Sequence, residues 1–308
     1  LTNKSFPKFN IRFTPGAPTA ISAGTYNVGI GQTYTSLSNA IADINHRGIS
    51  GAVTLNLTDA NYDSSNAGGN NVFPILLGPV AGNSASNTIT ITKSGSPAIV
   101  SWGGGLGSSG FMVNQASTSA LSSSVDPIIG IVGADYVTIN NLDIRGNVGA
   151  QLSNYGIGVY NSSATDGATN NQFTNIAVTM NSTNTGSRGI LQNVVTTPTN
   201  ATGANSSNKY YNLTIKNAYA GIQLTGNATY PDLNCEIGTT ACATRNIIGD
   251  PATANDIGNS SSQTWGIRAT NQSSVKIYNN NVRNVTGSAI QTDGIFLEAA
   301  QGTSEVYN

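Results

Sequence analysis

The acidic side chains of this sequence are few and scattered, and that limits the chemistry it can hold. There are 14 in all, comprising the glutamates Glu236, Glu298 and Glu305 and aspartates spread singly from Asp43 to Asp293. Cleaving a glycosidic bond with two carboxyl groups needs them to face each other across it, and no spacing here announces such a pair. Asp59-Ala60-Asn61-Tyr62-Asp63 has the spacing of a calcium loop, so Asp59, Asn61 and Asp63 are candidate Ca2+ ligands. However, Ser64 stands where that loop has glycine and Asn70 where it has glutamate. A polar loop between strands is the plainer reading. Asp143 and Arg145, two apart on one face, read as an exposed ion pair. Asp293 precedes Gly294-Ile295 without an acidic counterpart in the other Gly-Ile copies. His46 reads as a surface histidine at the end of a helix. Cys235 and Cys242 bracket one loop. Metal sites use more ligands at tighter spacing, so a disulfide between them is expected, in an oxidising compartment. No catalytic residue and no cofactor is assigned.

Composition narrows the partners. Charged residues make up 9% of the 308-residue chain and the net charge is −1, against about a quarter charged in ordinary domains. There is no basic stripe for nucleic acid. With 38% apolar residues in patterned runs, charge-driven disorder does not fit. No apolar run is long enough to cross a bilayer as a helix, and residues 1–24 lack the pattern of a signal peptide. The first residue is Leu1, not Met, and the last are Val306-Tyr307-Asn308, which read as half of another repeat. A processed or partial product, with repeats continuing past its end, is therefore expected.

The elements that must position any site come from one recurring phrase: a β-type run, asparagine, a second β-type run, a loop, then Gly-Ile. Val137-Thr138-Ile139-Asn140-Asn141-Leu142-Asp143-Ile144 leads to Gly156-Ile157, and Phe173-Thr174-Asn175-Ile176-Ala177-Val178 to Gly189-Ile190. Tyr210-Tyr211-Asn212-Leu213-Thr214-Ile215 leads to Gly221-Ile222, Asn246-Ile247-Ile248 to Gly266-Ile267, and Ile277-Tyr278-Asn279-Asn280-Asn281-Val282 to Gly294-Ile295. Asparagines 141, 175, 212, 246 and 279 are thus 34, 37, 34 and 33 residues apart, the period of a solenoid whose coils pack on their neighbours. Ile139, Phe173, Tyr210 and Ile277 then form one inward column, Leu142, Ile176 and Leu213 a second, and Ile144, Val178, Ile215 and Val282 a third. The asparagines fall where the path bends.

Ahead of the repeats, residues 1–24 form an extended segment. Residues 25–134 form an N-terminal cap and the first coils, and 135–308 the repeats. Thr35 to Gly48 is a helix: Leu37, Ala40, Ile41 and Ile44 share a face, Ser36 or Thr35 caps the start, and Gly48 stops it. It is expected to cover the apolar end of the stack. Val53–Leu57, Thr88–Thr92, Pro97–Trp102 and Ile128–Ile131 alternate as strands. The row Thr88, Thr90, Thr92 resembles a fragment of an ice-binding plane, but the later repeats lack it.

The phrase resembles the right-handed parallel β-helix of the pectate-lyase-like superfold. Gly24-Thr25-Tyr26-Asn27-Val28-Gly29, Tyr34 to Ile41 and Gly51 to Leu57 are similar to the start of large secreted β-helix proteins of Bacteroidota. The resemblance implies an all-β fold with an N-terminal capping helix and a bacterial secreted or cell-surface location. Enzymes of this superfold act mainly on polysaccharides: lyases with a Ca2+ cluster and an Arg or Lys base, hydrolases with paired carboxylates, esterases with two Asp plus Gln and Arg. No aligned column here holds acids in successive coils. The expected function is therefore a non-catalytic structural or adhesive module of a cell surface or surface filament, touching neighbouring copies, other surface proteins or glycans. The alternative is a polysaccharide-active enzyme or a carbohydrate-binding β-helix.

Overall fold

A computed structural model describes residues 18–64, 71–101, 127–146, 154–259, 263–287 and 291–307. The first seventeen residues, Asn70 and Trp102 lie outside the described residues. The backbone winds as a right-handed parallel β-helix, the hand that parallel crossover connections take almost without exception. The first sheet stacks Gly24–Val28, Val53–Leu57, Ile89–Thr92, Val137–Arg145, Gln172–Thr179 and Lys209–Lys216, then Glu236–Ile237, Lys276–Tyr278 and Glu305–Tyr307. The second stacks Ile75–Leu77, Pro127–Val132, Tyr155–Tyr160, Arg188–Asn193, Ala220–Thr225, Thr264–Thr270 and Thr292–Glu298. Neighbouring strands pair in parallel.

The expected columns are the core. Ile139, Phe173 and Tyr210 lie side by side, as do Leu142, Ile176 and Leu213, and Ile144, Val178 and Ile215. All nine are buried. The Phe173 and Tyr210 rings stack with centres 5.2 Å apart. Each such side chain removed from water contributes about 1.5–3 kcal/mol.

Asn141, Asn175 and Asn212 interrupt their strands with φ of 58°, 54° and 50°, which bends each strand into two runs around a corner. Asparagine tolerates this because its short amide bonds locally. Here the amides also bond along the stack: Asn212 Nδ2 donates to Asn175 Oδ1 and Asn175 Nδ2 to Asn140 Oδ1, both at 2.6 Å. Asn246 departs from the sequence alignment. It is buried, and its Oδ1 accepts from Leu213 N at 2.9 Å while its Nδ2 donates to Asn280 Oδ1 at 2.9 Å. The loop between Ile237 and Ile247 leaves the ladder at this corner, and Asn246 supplies the acceptor that the missing backbone would have provided.

The Gly-Ile signature has a packing cause. A Cβ built on Gly189 would sit 2.5 Å from Ile215 Cγ2 and 2.9 Å from Gly221 O, whereas one on Gly294, at the last coil, meets nothing within 4 Å. The two sheets touch along the glycine column. Gly189→Ala is expected to lower stability by about 1–3 kcal/mol through overpacking, with Gly294→Ala near neutral. Urea unfolding of both variants checks this, and equal effects would remove the packing explanation.

The helix spans Leu37–Arg47. Ser36 Oγ accepts from Asn39 N at 3.2 Å, and Gly48, at φ 68°, closes it with its N–H on Ile44 O. Leu37, Ala40, Ile41 and Ile44 are buried, and His46 is exposed. Asn45 Nδ2 donates to Leu76 O at 2.8 Å and Asn45 Oδ1 accepts from Gly78 N at 2.9 Å. One side chain thus satisfies the sheet edge as a preceding strand would, and the helix covers the first edge of the second sheet.

Candidate functional site

The structure brings no acid pair together from the candidates. Asp143 Oδ2 takes Arg145 Nη2 at 2.5 Å and Nε at 3.1 Å, the ion pair expected from spacing. Asp293 Oδ2 accepts from Gln291 Nε2 at 2.6 Å. Glu298 pairs with Arg268 at 2.7 Å, and Glu305 accepts from Tyr278 Oη at 2.5 Å. Glu236 accepts from the Tyr211 hydroxyl and lies 3.8 Å from Lys209 Nζ. Asp59 Oδ2 is taken by Ile30 N at 2.8 Å, and Asn61 lies on the strand Asn61–Tyr62, paired with Ala98–Ser101. Asp59, Asn61 and Asp63 are therefore parts of a turn and a strand. No group of three or more His, Cys, Asp or Glu side chains that could hold a metal occurs among the described residues.

The expected disulfide is not formed: Cys235 and Cys242 are both free thiols. The register Lys209↔Glu236 places Cys235 level with Asn208 in an inward column. There Cys235 is wholly buried, and burial pushes its thiol up to about 12. Cys242 sits on the exposed turn Cys242–Thr244, its Sγ 3.8 Å from Asn279 Oδ1. One thiol faces in and the other out, a difference that loop length does not reveal.

The coil interior contains polar groups that sequence reading missed. The inward column Val159, Gln192, Leu224 has one amide among aliphatics. Gln192 Nε2 donates to Asp232 Oδ2 at 2.6 Å and Asn205 O at 2.9 Å, and Gln192 Oε1 accepts from Tyr210 Oη at 2.7 Å and Asn208 Nδ2 at 3.0 Å. Asp232 also accepts from Asn205 N at 2.9 Å and Gln272 Nε2 at 3.2 Å. It is wholly buried, and desolvation raises its carboxyl to about 6 despite these bonds. Every member is buried, and the cluster reads as a structural network.

The outer faces differ. On the first sheet Thr25, Thr54, Thr90 and Thr138 line up over four coils, and the column continues as Gln172, Lys209, Glu236, Lys276 and Glu305. This threonine row runs across coils and shares only Thr90 with the run Thr88, Thr90, Thr92 along one strand. On the second sheet the residue before each Gly-Ile points outward, giving Tyr155, Arg188 and Ala220 as neighbours, with Trp265 on the next coil. Arg188 Cζ lies 5.3 Å from the Trp265 ring centre and 5.6 Å from that of Tyr219. Arg268 Cζ lies 4.8 Å from Trp265 and 5.7 Å from Phe296. Arg188 and Trp265 stand two coils apart, about 9.6 Å along the stack. They meet because Ala220 between them carries only a methyl group. Gln223 Oε1 accepts from Arg188 Nε at 2.9 Å. The result is a strip of alternating rings and guanidinium groups, flanked by Asn193, Thr225 and Thr270 in the adjoining column. Its sequence signal is the variable residue immediately before Gly-Ile.

No protein-family model matches this sequence, and no curated protein does. Among solved structures, a rhamnogalacturonan lyase aligns at TM-score 0.44 and 10% identity over 90% of this chain and 73% of its own. The GH136 lacto-N-biosidase from Eubacterium ramulus aligns at 0.45 and 11% over 90% of this chain and 56% of its own. The pectin methylesterase from Aspergillus niger aligns at 0.30 and 10% over 94% and 89%. At such values no activity transfers; the fold rests on the chain's own strand pairing. No helix among the described residues is long and apolar enough to cross a membrane.

Proposed function

We propose that this chain is a non-catalytic extracellular β-helix of a bacterial surface that adheres to glycans through the outer face of its second sheet. The observation that carries this reading is the strip of Tyr219, Arg188, Trp265, Arg268 and Phe296 with Gln223 beside it. The half-buried Arg188, Gln223 and Arg268 suit the hydroxyl edges of sugars and Phe296 a C–H face, while the buried Tyr219 and Trp265 rings hold the guanidinium groups in place. Rigid strands hold such groups with little ordering cost on binding. The low charge of the chain and its Thr- and Asn-lined first sheet suit an extracellular surface. Each glutamate is bonded within its own sheet, which supports the absence of catalysis.

The purified chain is expected to be retarded in gels containing polysaccharide and to release no reducing ends or unsaturated products from them. Trp265→Ala should weaken retention about tenfold, because the two guanidinium groups stacked on the indole lose their support, with an unchanged circular dichroism spectrum. Product release would replace adhesion by an enzymatic reading. Retention indifferent to Trp265→Ala would move the contact to another face, and fibre assembly without any retention would favour a purely structural module.

A further inference from the structure

Arg188 carries a charge that the fold does not answer. Its Nε donates to Gln223 Oε1 at 2.9 Å, and its Nη1 to Thr185 O at 3.1 Å and Ser187 O at 3.0 Å. All three acceptors are neutral, and no carboxylate pairs with Arg188 among the described residues. The other guanidinium on the strip differs: Arg268 Nη2 meets Glu298 Oε2 at 2.7 Å. Burial and the like charge of Arg268 both hold the Arg188 guanidinium below the usual range. A donor nearby is unspent: Trp265 is 7% exposed and its buried Nε1 has no hydrogen-bond partner among the described residues. A buried polar group without a partner is unfavourable, and more so when charged. An indole N–H without an acceptor and a guanidinium bonded only to neutral acceptors therefore lie on one outer face, with Arg188 Cζ 5.3 Å from the indole centre.

We propose that Arg188 receives an anionic substituent, a carboxylate or a sulfate ester, of a saccharide chain lying along the outer face of the second sheet; this rests on the glycan-contact reading above. The remaining edge of the guanidinium, Nη2, is held in place because the other side is braced by Gln223 and two carbonyls. The two N–H groups of Nη2 are the donors left on the guanidinium, and a charged donor bonds an anionic oxygen more strongly than a neutral one. Arg268, already neutralised by Glu298, adds no second anion site, so one charged substituent is recognised.

The test uses the full chain and three polymers with one backbone: dextran, carboxymethyl-dextran and dextran sulfate. Affinity electrophoresis should show at least tenfold tighter retention by one of the two charged polymers than by dextran. Preference for the carboxymethyl form identifies a carboxylate, and preference for the sulfated form a sulfate ester. Arg188→Gln should erase that preference, whatever it does to the weaker dextran retention, and Arg188→Lys, which keeps the charge without the braced planar Nη2 edge, should restore only part of it. Alongside, glucuronate but not glucose should shift the Arg188 side-chain N–H resonances. Equal retention by all three polymers, or a preference that survives Arg188→Gln, overturns the anion site and leaves the glycan reading standing. A glucuronate response without retention of any polymer supports the anion site and removes the glycan face. Silence in both assays overturns both.

Discussion

Gln192→Leu is expected to destabilise the chain by about 3 kcal/mol at pH 7, although it places a leucine in a column whose neighbours are Val159 and Leu224. Area bookkeeping alone predicts the opposite sign, a gain of order 1–2 kcal/mol for an apolar side chain in an apolar column. Hydrogen bonding decides it. Removing the amide leaves the Tyr210 hydroxyl without its acceptor and takes from Asp232 its shortest bond, that from Gln192 Nε2 at 2.6 Å. Each orphaned buried group costs about 1–3 kcal/mol, the ionised carboxylate more than the hydroxyl. Asn208 is less affected, because its Nδ2 also bonds Ala168 O at 2.9 Å. The measurement is the urea midpoint, with the slope checked for constancy. A variant as stable as the parent would mean that the polar cluster is dispensable packing.

Stability should also carry a proton-linked signature of Asp232. Burial raises its carboxyl from 3.8 to about 6. A raised acid binds its proton more tightly folded than unfolded, so its contribution to stability is largest below the unfolded value. It falls as pH rises between the two values and stays low above the folded one. A shift of about 2 pH units at about 1.36 kcal/mol each gives about 3 kcal/mol between pH 4 and pH 7. Other acids work the opposite way. Asp250 is held low by Lys216, Glu298 by Arg268 and Glu305 by the Tyr278 hydroxyl, so their support fades on acidification. Those groups lie at the surface, where solvent screens them, and contribute little. The readout is therefore the difference between the parent and Asp232→Asn. As pH falls from 7 to 4 the parent should gain on the variant by about 3 kcal/mol. A difference independent of pH would show that Asp232 titrates as an ordinary surface carboxylate.

The solenoid was legible in the sequence because its physics is local and repeated. A period near 34, alternating apolar residues and asparagine at the bend restate one coil five times, and Phe173, Tyr210, Leu213 and Ile215 stack as that period requires. The helix was legible because cap, apolar face and stop all lie within Ser36 to Gly48. Asn246 was misaligned because a loop excursion at one corner changes the job of an asparagine without changing the motif. The cysteine pairing failed because seven residues of separation say nothing about which way each side chain turns. The polar interior stayed hidden because Gln192 and Asp232 are 40 residues apart and become neighbours only when one coil lies on the next.

The sequence by itself determined the architecture, the inward columns, the capping helix and the absence of a repeated acid pair, since each follows from periodicity read along one strand. The tertiary structure alone decided what faces what across coils: the guanidinium and indole meeting over Ala220, the unanswered charge of Arg188, the carboxylate sealed beside Gln192. Those contacts depend on how many residues each loop spends between coils. Loop length sets the register of stacking but leaves no mark on the periodicity within a strand.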